Sequence, residues 1–189
     1  LMPHGSDWFQ FIEFIGPFFE WELDRWHTAL NATETEEEAL DVWKPHSVED
    51  ELRVTNPPVG ELDWMGPYDV LHHAASIPEV DETEGYVVVD YKTGSVPDKK
   101  YRAKGIHIDL EFYGWMLEEN DFDVVAGIGM YPGAGETIVR RYPNTDTRKK
   151  ISKVVEYLHT SEATTEDFPI TPNPLCDYCF YQEQCPTSW

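Results

Sequence analysis

The sequence has few basic residues, few cysteines and no long apolar run. Its 189 residues include 14 Lys and Arg against 36 Asp and Glu, which gives a formal net charge of -22. All three cysteines fall in the last fourteen residues, which argues against a secreted, disulfide-stapled fold. No apolar run approaches the roughly 18 residues of a membrane span, and no basic-then-apolar leader opens the chain. We therefore expect a cytoplasmic protein.

The acidic residues are spread along the chain rather than gathered in a tail. With 41% hydrophobic and 14% aromatic residues, the chain has enough apolar area for a packed core. In about 1 M salt, the screening length for charge repulsion falls to about 3 Å. A high net charge keeps a protein soluble under such conditions, so we expect a halophilic source. The stretch from Lys92 to Lys153 differs, with eleven basic and nine acidic residues against three and 27 elsewhere. It is either a locally paired helix surface or a surface that meets a polyanion.

Hydrophobic periodicity predicts a mixture of helices and strands. Apolar residues at three- and four-residue spacing predict an amphipathic helix over 7–30, kinked or split at Gly16-Pro17, followed by an acidic linker over 31–41. The β-branched run Tyr86–Tyr91 predicts a strand that is covered on both faces. The other predicted elements are an edge strand over 48–55, one or two strands over 59–72 with a bend at Gly66-Pro67, an acidic loop over 76–85, a helix over 106–119, a hairpin of 124–131 and 136–142, and a helix over 144–159.

Two charged side chains lie at the end of the predicted strand Tyr86–Tyr91. Asp90 and Lys92 are two residues apart, so they project from the same face, about 6.6 Å apart along the strand. If the segment that contains Asp63 is the neighbouring strand, Asp63 and Asp90 converge on one Mg²⁺ or Mn²⁺ ion, with the Tyr91 carbonyl as a third ligand. Such a metal activates a bound water that Lys92 can position, as phosphodiester cleavage requires. The alternative is a structural Asp–Lys pair.

The helix predicted over 106–119 places Asp109 and Tyr113 one turn apart on a single face. The sequence resembles the PD-(D/E)xK nuclease superfamily in three segments. They are Gly60-Glu61-Leu62-Asp63, Val89-Asp90-Tyr91-Lys92-Thr93-Gly94 and this helix with Tyr113. The resemblance is to the RecB-like branch, which includes CRISPR-associated and AddB-type exonucleases. It implies an α/β (mixed α+β) restriction-endonuclease-like core over 1–170, in which a central mixed β-sheet is flanked by helices.

The resemblance also implies roles for individual residues. Asp63 and Asp90 correspond to metal ligands, Lys92 to the catalytic lysine, and Tyr113 to the tyrosine of the helix motif. The family has a Gln four residues before that tyrosine, whereas this sequence has Asp109. The carboxylate of Asp109 either adds a metal contact or repels the phosphate of the substrate.

The cysteines form a C-x2-C-x5-C motif in a C-terminal segment over 171–189. Thiolates at x2 spacing clasp a soft metal because a tight turn directs both sulfurs inward. The residues alone leave open an iron–sulfur cluster or a zinc site completed by a histidine. In the RecB-like nucleases, three such cysteines join an N-terminal cysteine around a [4Fe–4S] cluster, so the resemblance implies that cofactor. The cysteines are Cys176, Cys179 and Cys185.

Basic residues follow the predicted active strand and indicate where DNA would bind: Lys99, Lys100, Arg102 and Lys104. Because concentrated salt weakens phosphate contacts, we expect aromatic stacking on single-stranded bases to contribute more. No sequence-recognition module is evident, so we expect a Mg²⁺- or Mn²⁺-dependent exonuclease on DNA, single-stranded or with free ends. Such an enzyme would act in repair or CRISPR adaptation, within a protein complex. The alternative is a catalytically inactive module that keeps the nuclease scaffold and binds DNA or a partner.

Overall fold

A computed structural model describes residues 5–55, 63–99 and 108–142, together with residues 149, 150, 152, 153 and 156. None of the helices in these ranges is long and apolar enough to cross a membrane. The helices are α1 (Gly5–Ala32), α2 (Glu36–Trp43), a short 3₁₀ helix (Ala74–Ser76) and α3 (Ile108–Glu118). The strands are β1 (Ser47–Val48), β2 (Glu51–Val54), β3 (Trp64–Pro67), β4 (Val70–His73), β5 (Tyr86–Tyr91), β6 (Val124–Tyr131) and β7 (Glu136–Arg141).

The main sheet has five strands in the order β1-β4-β5-β6-β7. Strand β5 is antiparallel to β4 and parallel to β6, and β6 is antiparallel to β7. The parallel connection from β5 to β6 contains α3, as such a crossover requires. Strands β2 and β3 form a separate antiparallel pair. The mixed α/β class, with a central mixed sheet flanked by helices, is therefore confirmed.

Strand β5 is covered on both faces, as its β-branched run predicts. Val87, Val88 and Val89 are fully buried. Side chains alternate along a strand, so Val87 and Val89 pack with Trp21 of α1, whereas Val88 packs with Trp115 of α3. The helices α1 and α3 therefore lie on opposite faces of the sheet, and the even-numbered residues of β5 face α3.

The structure narrows one prediction for the N-terminal part and corrects another. Helix α1 continues through Gly16-Pro17 as one helix, so it is not split there, and a Cβ on Gly135 would lie 2.8 Å from the Cβ of Pro17. The acidic run predicted as a linker contains α2, because Thr35 begins a capping box: its side chain accepts from the backbone N–H of Glu38, and the Glu38 carboxylate accepts from the N–H of Thr35. Acidic residues in the first turn also favour a helix.

In two segments, the observed strands begin and end at other residues than the predicted ones. The single edge strand over 48–55 is two short strands, β1 and β2. The segment over 59–72 breaks at Tyr68-Asp69 rather than at Gly66-Pro67. As a result β3 joins β2 and β4 joins β5, which decides which acidic residue adjoins Asp90. Of the helix predicted over 144–159, the positions that the structure describes are helical.

A buried arginine connects α1 to three other elements. Arg25 is 1% exposed, and its Nη1 contacts the Glu22 carboxylate at 2.8 Å. Its Nη2 lies 2.7 Å from the Trp43 carbonyl oxygen, 2.7 Å from His72 Nδ1 and 3.0 Å from Ser76 Oγ. One guanidinium group therefore ties α1 to α2, β4 and the 3₁₀ helix.

His72 makes stability depend on pH. Because Arg25 donates to Nδ1, the folded protein holds a neutral ring with its proton on Nε2. Burial, followed by the charge of Arg25, lowers the pKa of His72 to about 2. Unfolded histidine has a pKa near 6.5, so below about pH 6.5 the unfolded chain binds a proton that the folded protein does not. The free energy of unfolding should therefore fall with decreasing pH, by up to about 1.4 kcal/mol per unit.

We expect His72→Asn to remove this part of the pH dependence, because the Asn side-chain oxygen replaces Nδ1 as an acceptor and does not titrate. Urea unfolding between about pH 4 and pH 7 measures the slope. The matched control is His27→Asn, which changes an exposed histidine of α1. Equal slopes for His72→Asn and the unmodified protein would contradict the prediction.

Candidate active site

Two aspartates lie side by side, one directly before β4 and the other on β5. Val70 of β4 pairs with Val89 of β5, so Asp69, which precedes β4, lies opposite Asp90. The Oδ2 atom of Asp69 accepts a hydrogen bond of 2.9 Å from the backbone N–H of Tyr91. This bond engages one oxygen of Asp69 and fixes its carboxylate beside the end of β5.

Lys92 extends from the same face as Asp90. Its backbone N–H donates to the Met130 carbonyl at 2.7 Å, which continues the pairing of β5 with β6 by one residue. The backbone is therefore held extended as far as Lys92, and the alternation of β5 is kept. The ammonium group donates to the Asp90 carboxylate and, at 2.5 Å, to Oδ2 of Asp109 on α3. The structure thus brings Asp90, Lys92 and Asp109 together, with Asp69 next to them.

The environment sets the charges of this cluster. Burial raises the pKa of Asp90 to about 6; the hydrogen bond and charge of Lys92 oppose this rise, and the charge of Asp69 adds to it. Burial alone would lower the pKa of Lys92, but its bonds to Asp109 and Asp90 raise that pKa. The same bond to Lys92 lowers the pKa of Asp109 in spite of burial. Lys92 is therefore an ammonium and Asp109 a carboxylate at neutral pH.

Tyr113 lies one turn after Asp109 on α3. Burial raises the pKa of its phenol, and the charges of Asp90 and Asp109 raise it further, while Lys92 lowers it. The hydroxyl group therefore lies in the electrostatic field of the cluster and stays protonated, so it can donate a hydrogen bond to an anion.

Two glycines set the position of α3 over the sheet. A Cβ on Gly127 of β6 would lie 2.9 Å from Leu110 Cβ, and a Cβ on Gly114 of α3 would lie 2.8 Å from the ring of Tyr142. Such approaches are tighter than side chains tolerate, so α3 can pack this closely only over glycine. This packing brings Asp109, the neighbour of Leu110, to the end of β5.

The neighbour of Asp90 is not Asp63. Asp63 is exposed and precedes β3, which is hydrogen-bonded to β2 in the separate two-stranded sheet. The expectation that its segment adjoins β5 is therefore corrected, and Asp69 has that position. The sequence carried a signal for it, because Gly66-Pro67-Tyr68-Asp69 has the same Gly-x-x-Asp spacing as Gly60-Glu61-Leu62-Asp63 and directly precedes the apolar run of β4.

The remaining predicted site residues are described only in part. Lys99 is exposed at the end of a described range. Within the described ranges, no group of three or more His, Cys, Asp or Glu side chains is arranged to hold a metal ion. Several predicted residues lie outside the described residues: Lys100, Arg102, Lys104, Cys176, Cys179 and Cys185.

Three comparisons with known proteins bear on the family of this chain. Eight chains of solved structures match; one, titled "Crystal structure of SSO0001", is 18% identical with a TM-score of 0.45. That match covers 76% of this chain and 61% of the other, so this chain spans less than two thirds of that protein's length. A search of curated proteins found no match. The family model of the PD-(D/E)XK nuclease superfamily, whose members are usually metal-dependent nucleases, matches residues 7–186. The chain belongs to the PD-(D/E)XK nuclease superfamily.

Proposed function

We propose that the protein is a metal-dependent nuclease that hydrolyses phosphodiester bonds in DNA at the cluster around Lys92. The observation that carries this proposal is the meeting of Asp69 and Asp90 on adjacent strands, with the Lys92 ammonium on the same face. Paired carboxylates beside a fixed cation are the groups that phosphodiester hydrolysis with a divalent metal needs.

The donor set fits Mg²⁺ or Mn²⁺. Asp69 and Asp90 offer hard carboxylate oxygens, and the Tyr91 carbonyl lies on the chain between Asp90 and Lys92. Mg²⁺ keeps several waters and takes one or two carboxylates, which matches two aspartates rather than a closed protein cage. The metal would lower the pKa of a bound water and polarise the phosphate. The hydrogen bond to Tyr91 leaves the second oxygen of Asp69 for this purpose.

The side chains of this chain have separate roles in the proposed reaction. The Lys92 ammonium orients the attacking water and stabilises the charge that develops on the phosphoryl oxygens. The neutral Tyr113 phenol donates a hydrogen bond to the phosphate. Both groups are in place before the substrate binds, because Lys92 is held by Asp90 and Asp109 and Tyr113 is carried by α3.

We further propose exonuclease action on single-stranded DNA or free ends, in repair or CRISPR adaptation. The described ranges consist of the two sheets and their helices, without an added element that would read a base sequence. The cysteine segment is proposed to hold a [4Fe–4S] cluster of structural role, on the strength of its C-x2-C-x5-C spacing.

Asparagine substitutions at the two competing aspartates test the assignment. We expect Asp69→Asn to lower Mn²⁺-dependent DNA hydrolysis by about a hundredfold, because it removes a charged ligand. The matched control, Asp63→Asn, removes an acid from the same Gly-x-x-Asp spacing and should change the rate less than about twofold. Nucleotide release from end-labelled linear DNA measures the rate, and a covalently closed circular substrate tests the need for ends.

If Asp69→Asn is active and Asp63→Asn is inactive, Asp63 rather than Asp69 is the metal ligand. An unmodified protein that binds Mn²⁺ and DNA but leaves both substrates intact would refute the enzyme and favour the inactive DNA-binding module. The assays should be run at low and at molar KCl, because the acidic surface is typical of salt-adapted proteins.

A further inference from the structure

Lys92 is held by two carboxylates that differ in their surroundings. The Asp90 side chain is 13% exposed, the Asp109 side chain is 36% exposed, and the lysine between them is 26% exposed. Asp90 sits on the same strand as Lys92, next to Asp69, whereas Asp109 reaches the ammonium from α3. The two partners of the lysine therefore belong to different elements, and only Asp90 has a second acid opposite it on the sheet.

A divalent cation at Asp69 and Asp90 would change this arrangement. It would compete with Lys92 for the Asp90 oxygens and would place two positive charges beside the ammonium, which repel it at such short range. Without another partner, the lysine would have to leave the site or weaken the binding of the cation. Asp109 is the second partner of the ammonium, at 2.5 Å, and it is carried by α3 rather than by β5. The charges also balance: three aspartate carboxylates and one lysine ammonium have two more negative charges than positive ones, and one divalent cation neutralises this excess.

We propose that Asp109 is a positioning residue for Lys92 rather than a metal ligand. It keeps the ammonium at the site while Asp90 binds the cation, and so it permits the cation and the lysine to be present together. This inference rests on the proposed function.

A double-mutant cycle on Mn²⁺ affinity tests the inference without an activity assay. The four proteins are the unmodified chain, Asp109→Asn, Lys92→Met and the double variant; calorimetry and the electron paramagnetic resonance signal of free Mn²⁺ give the affinities. With Lys92 present, Asp109→Asn should weaken Mn²⁺ binding about tenfold, because the lysine then competes for Asp90 alone. With Lys92→Met, the same change should weaken it less than about threefold, because no ammonium needs an anchor.

The test has a matched control and a substitute variant. Asp41→Asn removes one negative charge from α2, outside the cluster, and should leave Mn²⁺ affinity within about twofold of the unmodified protein. If Asp109→Asn fails to fold, Asp109→Ser supplies a second neutral variant with a short polar side chain. Circular dichroism and a thermal unfolding curve establish the fold of each variant.

An equal loss of affinity in both lysine backgrounds would make Asp109 a metal ligand; it would overturn this inference and leave the proposed nuclease standing. Unchanged affinity of Asp109→Asn in both backgrounds would overturn it as well. A failure of the unmodified protein to bind Mn²⁺ would overturn the proposed function first and the inference with it.

Discussion

Replacement of Arg25 by methionine should lower the free energy of unfolding by about 3–5 kcal/mol, the cost typical of breaking a buried ion pair by removing one partner. Methionine fills much of the space of the arginine side chain, so the loss reports polar contacts more than an empty cavity. The substitution leaves the Trp43 carbonyl, His72 Nδ1 and Ser76 Oγ without the donor that they share. Each buried acceptor left without a partner costs about 1–3 kcal/mol. Glu22, at 19% side-chain exposure, can turn to water and adds less.

Urea unfolding at constant KCl measures this loss, and Arg53→Met is the matched control. Arg53 is 60% exposed and contacts Glu51 at 3.4 Å, so its removal should cost less than about 1 kcal/mol. Losses of similar size in the two variants would show that the buried network does not stabilise the fold in the proposed way.

Elements with a strong local signal could be predicted from the sequence. Two strands have the bounds that the sequence predicts: Tyr86–Tyr91 and Val124–Tyr131. Their signal is strong because a strand buried inside a mixed sheet needs a continuous run of apolar residues. Helix α2 was missed although its signal is local: the capping box of Thr35 and Glu38 lies inside an acidic run whose charge suggested a linker. The capping box and the acidic first turn both favour a helix here, and its one buried residue, Ala39, packs inward.

Contacts between distant residues could not be predicted. Arg25 and His72 are 47 positions apart, and no periodicity links them, so the buried network was invisible in the sequence. The neighbour of Asp90 could not be predicted for the same reason. Asp63 and Asp69 both end a Gly-x-x-Asp spacing, and only the pairing of β4 with β5 shows that Asp69 is the neighbour. Sequence spacing predicts an acidic residue near Asp90, whereas strand pairing decides which aspartate lies next to it.

Lys92→Met should lower the rate of DNA hydrolysis by about 10²–10³, the cost of removing one oriented charge from a developing oxyanion. Lys92→Arg should lose nearly as much, because a planar guanidinium does not replace a compact ammonium between two carboxylates. The matched control is Lys44→Met, which removes an exposed lysine that contacts Asp41 at 3.7 Å and should keep the rate within about twofold.

The affinity for Mn²⁺ separates the role of Lys92 from that of the aspartates. Lys92→Met removes a cation that competes for Asp90, so it should bind Mn²⁺ at least as tightly as the unmodified protein while hydrolysis is lost. Asp69→Asn should lose both properties, because the ligand itself is gone. Steady-state rates and Mn²⁺ titrations on the same preparations measure both. Retained hydrolysis in Lys92→Met, with Mn²⁺ bound, would mean that the ammonium only neutralises its two aspartates and that the water is oriented by another group.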